Sequence, residues 1–332
     1  MAIAIGLMGC AHIHVPAFVR MLKGRTDVNL VRVWDHDADR ARMRAMELRA
    51  EQTADWREIV ADPAIAAVIV ASETDRHAMV VPEIVRAGKH VFVEKPLGFG
   101  ASDALAMAEA IEAAGVKFQT GYFMRGWPVM QFLKRQVEAG GFGKVTRVRA
   151  SNCHRGALAG WFDREWRWMA DPAIAGCGAF GDLGTHALDL LLWMFGSVAA
   201  VTGQIDAGTG RYPGCDETGE ALLRFKSGVI GTLAAGWDDL ANPVTFLISG
   251  TEGHAVVIRD ELFFTSSRVE GADGKAAWTG LPPAWPHAFE LFLNALVGKP
   301  AELVTAREAA YRNVVMEAIY RGAREGKWVQ VV

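Results

Sequence analysis

The stretch Ala2-Ile3-Ala4-Ile5-Gly6-Leu7-Met8-Gly9-Cys10-Ala11-His12-Ile13-His14 sets the reading of the whole chain. Ala2–Met8 is a short apolar strand that ends in glycine and small residues, and a helix-like stretch follows from His14 to Lys23. Aligned on the strand end, the turn reads Gly9-x-Ala11-x-x-His14 where the dinucleotide fingerprint has G-x-G-x-x-G. Gly9 permits the tight turn. Ala11 adds one methyl where backbone approaches a pyrophosphate, and His14 stands where a glycine lets helix and strand pack closely. Backbone from Gly9 through Cys10, Ala11, His12 and Ile13 is the candidate phosphate cradle. Asp35 ends the next apolar strand, about 20 residues on, where a carboxylate accepts the adenosine ribose hydroxyls. An acid there repels a 2′-phosphate, which favours NAD and leaves NADP second, since His36 and Arg40 lie close by.

The same rhythm continues outward. Asn29–Asp35, Ala66–Ala71, His90–Glu94 and Val116–Gly121 read as further strands, separated by helical stretches at Ala38–Glu51, His77–Ala87 and Ser102–Ala114. Strands apolar on both sides between amphipathic helices indicate a doubly wound parallel sheet. After Tyr122 the pattern changes. A helix at Pro128–Ala139, a strand at Lys144–Asn152 and a helix at Leu183–Phe195 precede six strands with only turns between them: Ala199–Ile205, Glu217–Phe225, Val229–Gly236, Val244–Ser249, Ala255–Ile258 and Leu262–Thr265. Helices at Trp285–Val297 and Ala306–Glu325 finish the chain. The expectation is α/β: a Rossmann domain over 1–121, then an α+β domain over 122–332 on a largely antiparallel sheet, its last helix able to pack back on the first domain.

Composition bounds the function. A chain of 332 residues with a net charge of −3 has no basic excess for nucleic acid and no charged tail. The four cysteines form no CxxC pair and read as reduced thiols. No segment has the roughly 18 apolar residues of a membrane span, and the first apolar run is short for a signal peptide. A cytoplasmic protein is expected, acting on a small molecule.

Lys95 follows a buried strand at the carboxyl edge, where open α/β sheets bind ligands, and Pro96 holds it extended. Glu94 points to the opposite face. A lysine in a partly dry cleft can accept a proton from a substrate hydroxyl. Asp182, His186 and Asp189 are spaced i, i+4, i+7 on one helix face, opposite Leu183, Ala187, Leu190 and Leu191. A polar stripe on a buried helix is costly unless it lines a cavity.

Ala87-Gly88-Lys89-His90-Val91-Phe92-Val93-Glu94-Lys95-Pro96 resembles the AGKHV-x-x-EKP signature of the Gfo/Idh/MocA oxidoreductases, the family of glucose–fructose oxidoreductase and inositol dehydrogenase. Gly181-Asp182-Leu183-Gly184-Thr185-His186-Ala187-Leu188-Asp189 is similar to its D-x-G-x-H-x-x-D segment, and Gly250-Thr251-Glu252-Gly253 to its GTEG turn. The altered glycine turn is the main departure. The resemblance implies an NAD(P)-dependent dehydrogenase or reductase of a sugar, polyol or related polar compound, and a homodimer or homotetramer. It implies Lys95, Asp182 and His186 as the catalytic set, with Ser72, His77 and Glu94 on the cofactor side. Arg125, His154, Trp166, Arg167 and Asp189 are further candidates for substrate contact. No metal is expected. Alternatives are a dinucleotide-binding sensor without turnover, or an enzyme that uses NAD internally for elimination or hydrolysis. His12-x-His14 also resembles the opening of metal-dependent amidohydrolases, but the helix–strand alternation stops well short of an eight-stranded barrel.

Overall fold

A computed structural model describes residues 2–331. Its first sheet has six parallel strands: β1 (Ile3–Met8), β2 (Val28–Trp34), β3 (Glu51–Gln52), β4 (Ile65–Val70), β5 (His90–Val93) and β6 (Phe118–Thr120). Their order is β3-β2-β1-β4-β5-β6, so the strand order reverses between β1 and β4. Open α/β sheets bind ligands at the carboxyl ends beside that reversal. Helices α1 (Val15–Lys23), α2 (Ala38–Leu48), α3 (Arg57–Ala61), α4 (His77–Arg86) and α5 (Ala101–Ala114) link these strands. Helix α2 stops three residues before its expected end, because Arg49 turns left-handed at φ 56° and frees Glu51–Gln52 to pair with Arg32–Val33.

The second half contains α6 (Pro128–Glu138), β7 (Val145–Cys153), α7 (Pro172–Ala175), α8 (Ala179–Phe195), β8 (Val198–Asp206), β9 (Thr218–Phe225), β10 (Ile230–Gly236), β11 (Val244–Gly250), β12 (Gly253–Ile258), β13 (Glu261–Ser266), α9 (Ala288–Leu296), α10 (Ala306–Glu325) and β14 (Val329–Gln330). Its eight-stranded sheet runs β13-β12-β11-β7-β10-β9-β8-β14. One pairing, β7 with β10, is parallel, and the others are antiparallel. Two open sheets leave no place for an amidohydrolase barrel.

Helix α8 lies across this sheet and is buried along almost its whole length. It begins four residues earlier than the sequence pattern indicated, at Ala179. The reason is remote: Asp216 accepts from the Gly178 and Phe180 amides and so caps the helix from another loop. Helix α9 begins later than expected because Pro286 precedes it and His287 Nδ1 accepts the Phe289 amide. Phe289 stacks on Phe18 at 4.2 Å and Phe292 lies 5.9 Å from Phe92, so α9 packs on the first sheet. Helix α10 starts with a capping box of Thr305 and Glu308. Its first turns join the apolar cluster of β4 and β5, and Val315 and Ile319 join the core under the second sheet. One helix thus ties both layers together.

Candidate active site

Gly9 leaves β1 with φ +82° and donates its amide to Trp34 O at 2.8 Å. Its α-carbon presses on the loop after β4: a Cβ there would stand 2.3 Å from Ser72 Cα. Only glycine fits both demands. Beyond it, the Ala11 and Ile13 amides find no acceptor among the described residues. They lie at the entry to α1, where free N–H groups and the helix dipole favour an anion. The turn fits a dinucleotide pyrophosphate despite its missing glycines. Ile13 itself leans on the core of the second half.

Asp35 is buried and fixed. Its Oδ2 accepts the Cys10 amide, and its Oδ1 accepts the Asp37 amide at 2.8 Å and the Arg40 guanidinium at 2.8 Å. Arg40 also reaches Glu73 Oε1 at 2.9 Å. Burial pushes the Cys10 thiol far above the ordinary thiol range, which makes it inert.

Lys95 ends the next segment, and its peptide to Pro96 is cis. Its ammonium donates to Asp182 Oδ1, while Trp237 Nε1 donates to Asp182 Oδ2 at 3.2 Å. Burial alone would raise the Asp182 pKa, but the Lys95 charge outweighs it and holds the acid at about 2. One helical turn on, His186 is 4 % exposed and its Nδ1 has no hydrogen-bond partner. Burial, then the Lys95 charge, keeps that ring neutral. A neutral imidazole with a free nitrogen can donate to or accept from a substrate oxygen.

Glu94 faces the other way and is fully buried. Its Oε1 takes the His14 Nδ1 proton at 3.0 Å, and its Oε2 lies 3.8 Å from His12 Nε2 and accepts the Lys95 amide at 3.0 Å. Burial would raise the Glu94 pKa, yet these neighbours hold it well below the carboxylate range. The three groups have the composition of a metal site, with ligand atoms within 4.8 Å of one another. However, His12 Nδ1 accepts the His14 amide at 3.3 Å, which puts the ring proton on Nε2, the nitrogen a metal would need. In this arrangement the cluster is hydrogen-bonded and anchors the turn to β5.

A cavity of about 10 Å³ separates Lys95 and Asp182 from His12, Trp168 and Met169. Trp168 closes it by donating Nε1 to Ala11 O at 3.1 Å. That bond uses the carbonyl and leaves the Ala11 and Ile13 amides free. A larger cavity, about 500 Å³, opens behind Pro96 and Cys177 but is not lined by Lys95 or Asp182, so that pair belongs to the small one, and His186 lines neither.

Several expected contacts lie elsewhere. Asp189 is not in this cleft: it is gripped by Arg125 at 2.7 and 2.8 Å and by Arg312 at 2.8 Å. Arg125 further bonds Glu308 at 3.1 Å, so the pair forms a buried clamp between α8, α10 and the segment after β6. His77 turns its Nδ1 to Leu97 O at 3.1 Å and steadies the segment after Pro96. Arg167 bonds Ala170 O in its own loop and covers Tyr212, while Trp166 packs on the second core. His154 accepts the Gly156 amide and lies against Trp161, near enough for Asp182 and Lys95 to act on its charge. The sequence reading missed Trp237 and Glu73. Only Glu73, an acid directly after a carboxyl-edge strand, carried a local signal.

A family model described as an oxidoreductase family with an NAD-binding Rossmann fold matches residues 3–122, and a GFO/IDH/MocA C-terminal domain model matches residues 130–256. The chain belongs to that family. It is an NAD-binding oxidoreductase. Levoglucosan dehydrogenase of Pseudarthrobacter phenanthrenivorans is 28 % identical over 264 residues, covering 71 % of this chain and 67 % of the relative. The NAD(+)-dependent scyllo-inositol 2-dehydrogenase of Bacillus subtilis is 27 % identical over 260 residues, covering 75 % and 71 %. A solved levoglucosan dehydrogenase complex with NADH and levoglucosan matches the fold with TM-score 0.81 at 24 % identity, over 100 % of both chains. Among the described residues no helix is long and apolar enough to cross a membrane.

The buried histidines of this family member set its acid stability. Burial lowers His12 to about 3, and moves His77 and His186 the same way. The unfolded chain therefore takes up protons that the folded one refuses, starting near the ordinary value of 6.5. This contribution is complete above that value and is lost as pH falls below it, for His12 down to about 3, by up to about 1.4 kcal/mol per pH unit for each such ring. Urea midpoints at pH 8, 6.5, 5.5 and 4.5 check this (pH values chosen about the histidine range), and a flat series contradicts it.

Proposed function

We propose that this enzyme oxidises a hydroxyl, or reduces the matching carbonyl, on a neutral sugar or polyol, with Lys95, Asp182 and His186 as its catalytic residues. The reading rests on one observation above all: the Lys95–Asp182–Trp237 chain ends in the same small cavity as His12 of the phosphate turn. NAD held at the Gly9 turn and Asp35 would supply the hydride chemistry. In the reductive direction the Lys95 ammonium gives a proton to the carbonyl oxygen as the C–H bond forms; in the oxidative direction the residue first releases that proton to solvent, and the neutral amine then takes the hydroxyl proton as the C–H bond breaks. Asp182, anchored by Trp237, aims the amine. His186 holds the same substrate oxygen with its free nitrogen. Trp168, pinned to Ala11, excludes water from the cavity.

The two relatives named above carry sugar and cyclic-polyol names, which supports this substrate class. The test is a panel of anhydrosugars, inositols and aldoses with NAD⁺, followed by the absorbance of reduced nicotinamide. Net NADH formation with a neutral polyol is expected. Product formation with no net NADH indicates internal redox, and no turnover across the panel defeats the substrate class.

The same reading places residues 1–121 and 122–332 in two domains, the enzyme in the cytoplasm, and two or four copies in the assembly. Exposed Val244 and Ile258, paired across β11 and β12, support a contact between copies. A monomeric mass by light scattering speaks against it.

A further inference from the structure

Asp35 cannot hold both ribose hydroxyls alone. A carboxylate has about four acceptor sites. The Asp35 Oδ1 already takes the Asp37 amide and both Nε and Nη2 of Arg40, at 2.8, 3.2 and 2.8 Å, and Oδ2 takes the Cys10 amide. That leaves about one lobe, on Oδ2, for two hydroxyls.

Glu73 stands beside it. It follows β4 at the carboxyl edge, is 5 % exposed, and meets Asp35 through the shared Arg40. Its Oε2 is buried without a hydrogen-bond partner. The nearest nitrogens to that oxygen, His36 Nδ1 and Arg76 Nε, are each 3.5 Å away and misaligned for a bond. An unpaired buried carboxylate oxygen is expensive and wants a donor. A ribose hydroxyl is such a donor.

We propose that Glu73 is a second determinant of dinucleotide choice, supplying the acceptor that Asp35 lacks and holding Arg40 and Arg76 away from a 2′-phosphate. Two effects follow from its position. Its free oxygen favours a ribose with both hydroxyls. Its charge neutralises the two guanidiniums that would otherwise welcome the phosphate of NADP. With Glu73 present, the corner holds two acids and two arginines. Without it, one acid faces two arginines, the balance that suits a dianion. This inference rests on the turn at Gly9 being the dinucleotide site.

The test is calorimetric titration of NAD⁺ and NADP⁺ into wild type, Glu73→Gln and Glu73→Gln/Arg40→Gln, each checked for folding by thermal unfolding. Wild type binds NAD⁺ in preference to NADP⁺. Glu73→Gln, which keeps shape and loses charge, gains about tenfold or more for NADP⁺ and loses severalfold for NAD⁺, as removal of one charge a few ångströms away implies. The double variant gives back most of the NADP⁺ gain. An unchanged NADP⁺-to-NAD⁺ ratio in a folded Glu73→Gln overturns the proposal. Wild type that binds neither dinucleotide overturns the site reading beneath it, which the variants alone could not do.

Discussion

Lys95→Ala is expected to lower turnover by about 10³ or more while NAD⁺ binding stays within a few-fold of wild type. The amine is the only positively charged group among the described residues lining the small cavity, and a positioned acid–base group typically contributes 10²–10⁴-fold. Its loss also strips Asp182 of the charge that lowers its pKa, so burial pushes that pKa up in the variant. A purely structural lysine would lose activity through that rearrangement too. Three readouts separate the roles. Lys95→Met, which fills the same volume, should be as inactive as Lys95→Ala. Small alkylamines should restore part of the activity of Lys95→Ala, because they bring a nitrogen into the vacated volume, but none of Lys95→Met. Calorimetry should give near-normal NAD⁺ affinity for both. Undiminished activity in Lys95→Ala removes the residue from the mechanism.

How much of this was legible in the sequence depended on where each residue's partners lie. Gly9, Asp35 and Lys95 were readable because a strand end and a turn are local, and the family resemblance added Asp182 and His186 four residues apart on one helix. Asp189 obeyed the same spacing rule, yet it faces Arg125 and Arg312, 64 and 123 residues away. Periodicity assigns a helix face but not the cation waiting opposite it. The same limit hid the start of α8, which depends on Asp216, and Trp237, which enters the site from the end of β10. The parallel pairing of β7 with β10 was also invisible, because alternation shows that a strand is half-buried but not which neighbour it chooses. The family resemblance implies a cofactor-side His77, and in the structure its Nδ1 meets Leu97 O while its Nε2 has no partner. A loop position sets where a side chain starts, while packing sets where it ends.

The second large effect is expected at the phosphate turn, where two costs of a single methyl can be told apart. Gly9 and Gly88 both have positive φ, +82° and +74°. A Cβ at Gly88 meets nothing within 4 Å, whereas at Gly9 it would stand 2.3 Å from the Ser72 backbone. Gly88→Ala should therefore lose only the left-handed penalty, about 1–2 kcal/mol, and keep full NAD⁺ affinity. Gly9→Ala adds a clash with backbone that no rotamer change relieves, so either the β1 turn or the β4 loop must move. A loss of about 3 kcal/mol or more is expected in urea unfolding, larger than the backbone term alone. The displaced segments carry the Ala11 and Ile13 amides on one side and Ser72–Glu73 on the other, the two halves of the proposed cofactor cradle. NAD⁺ affinity should fall about 100-fold or more, since a shift near 1 Å breaks several directional hydrogen bonds at once. Equal losses in the two variants would mean that the close approach of Gly9 to Ser72 is not what shapes the cradle.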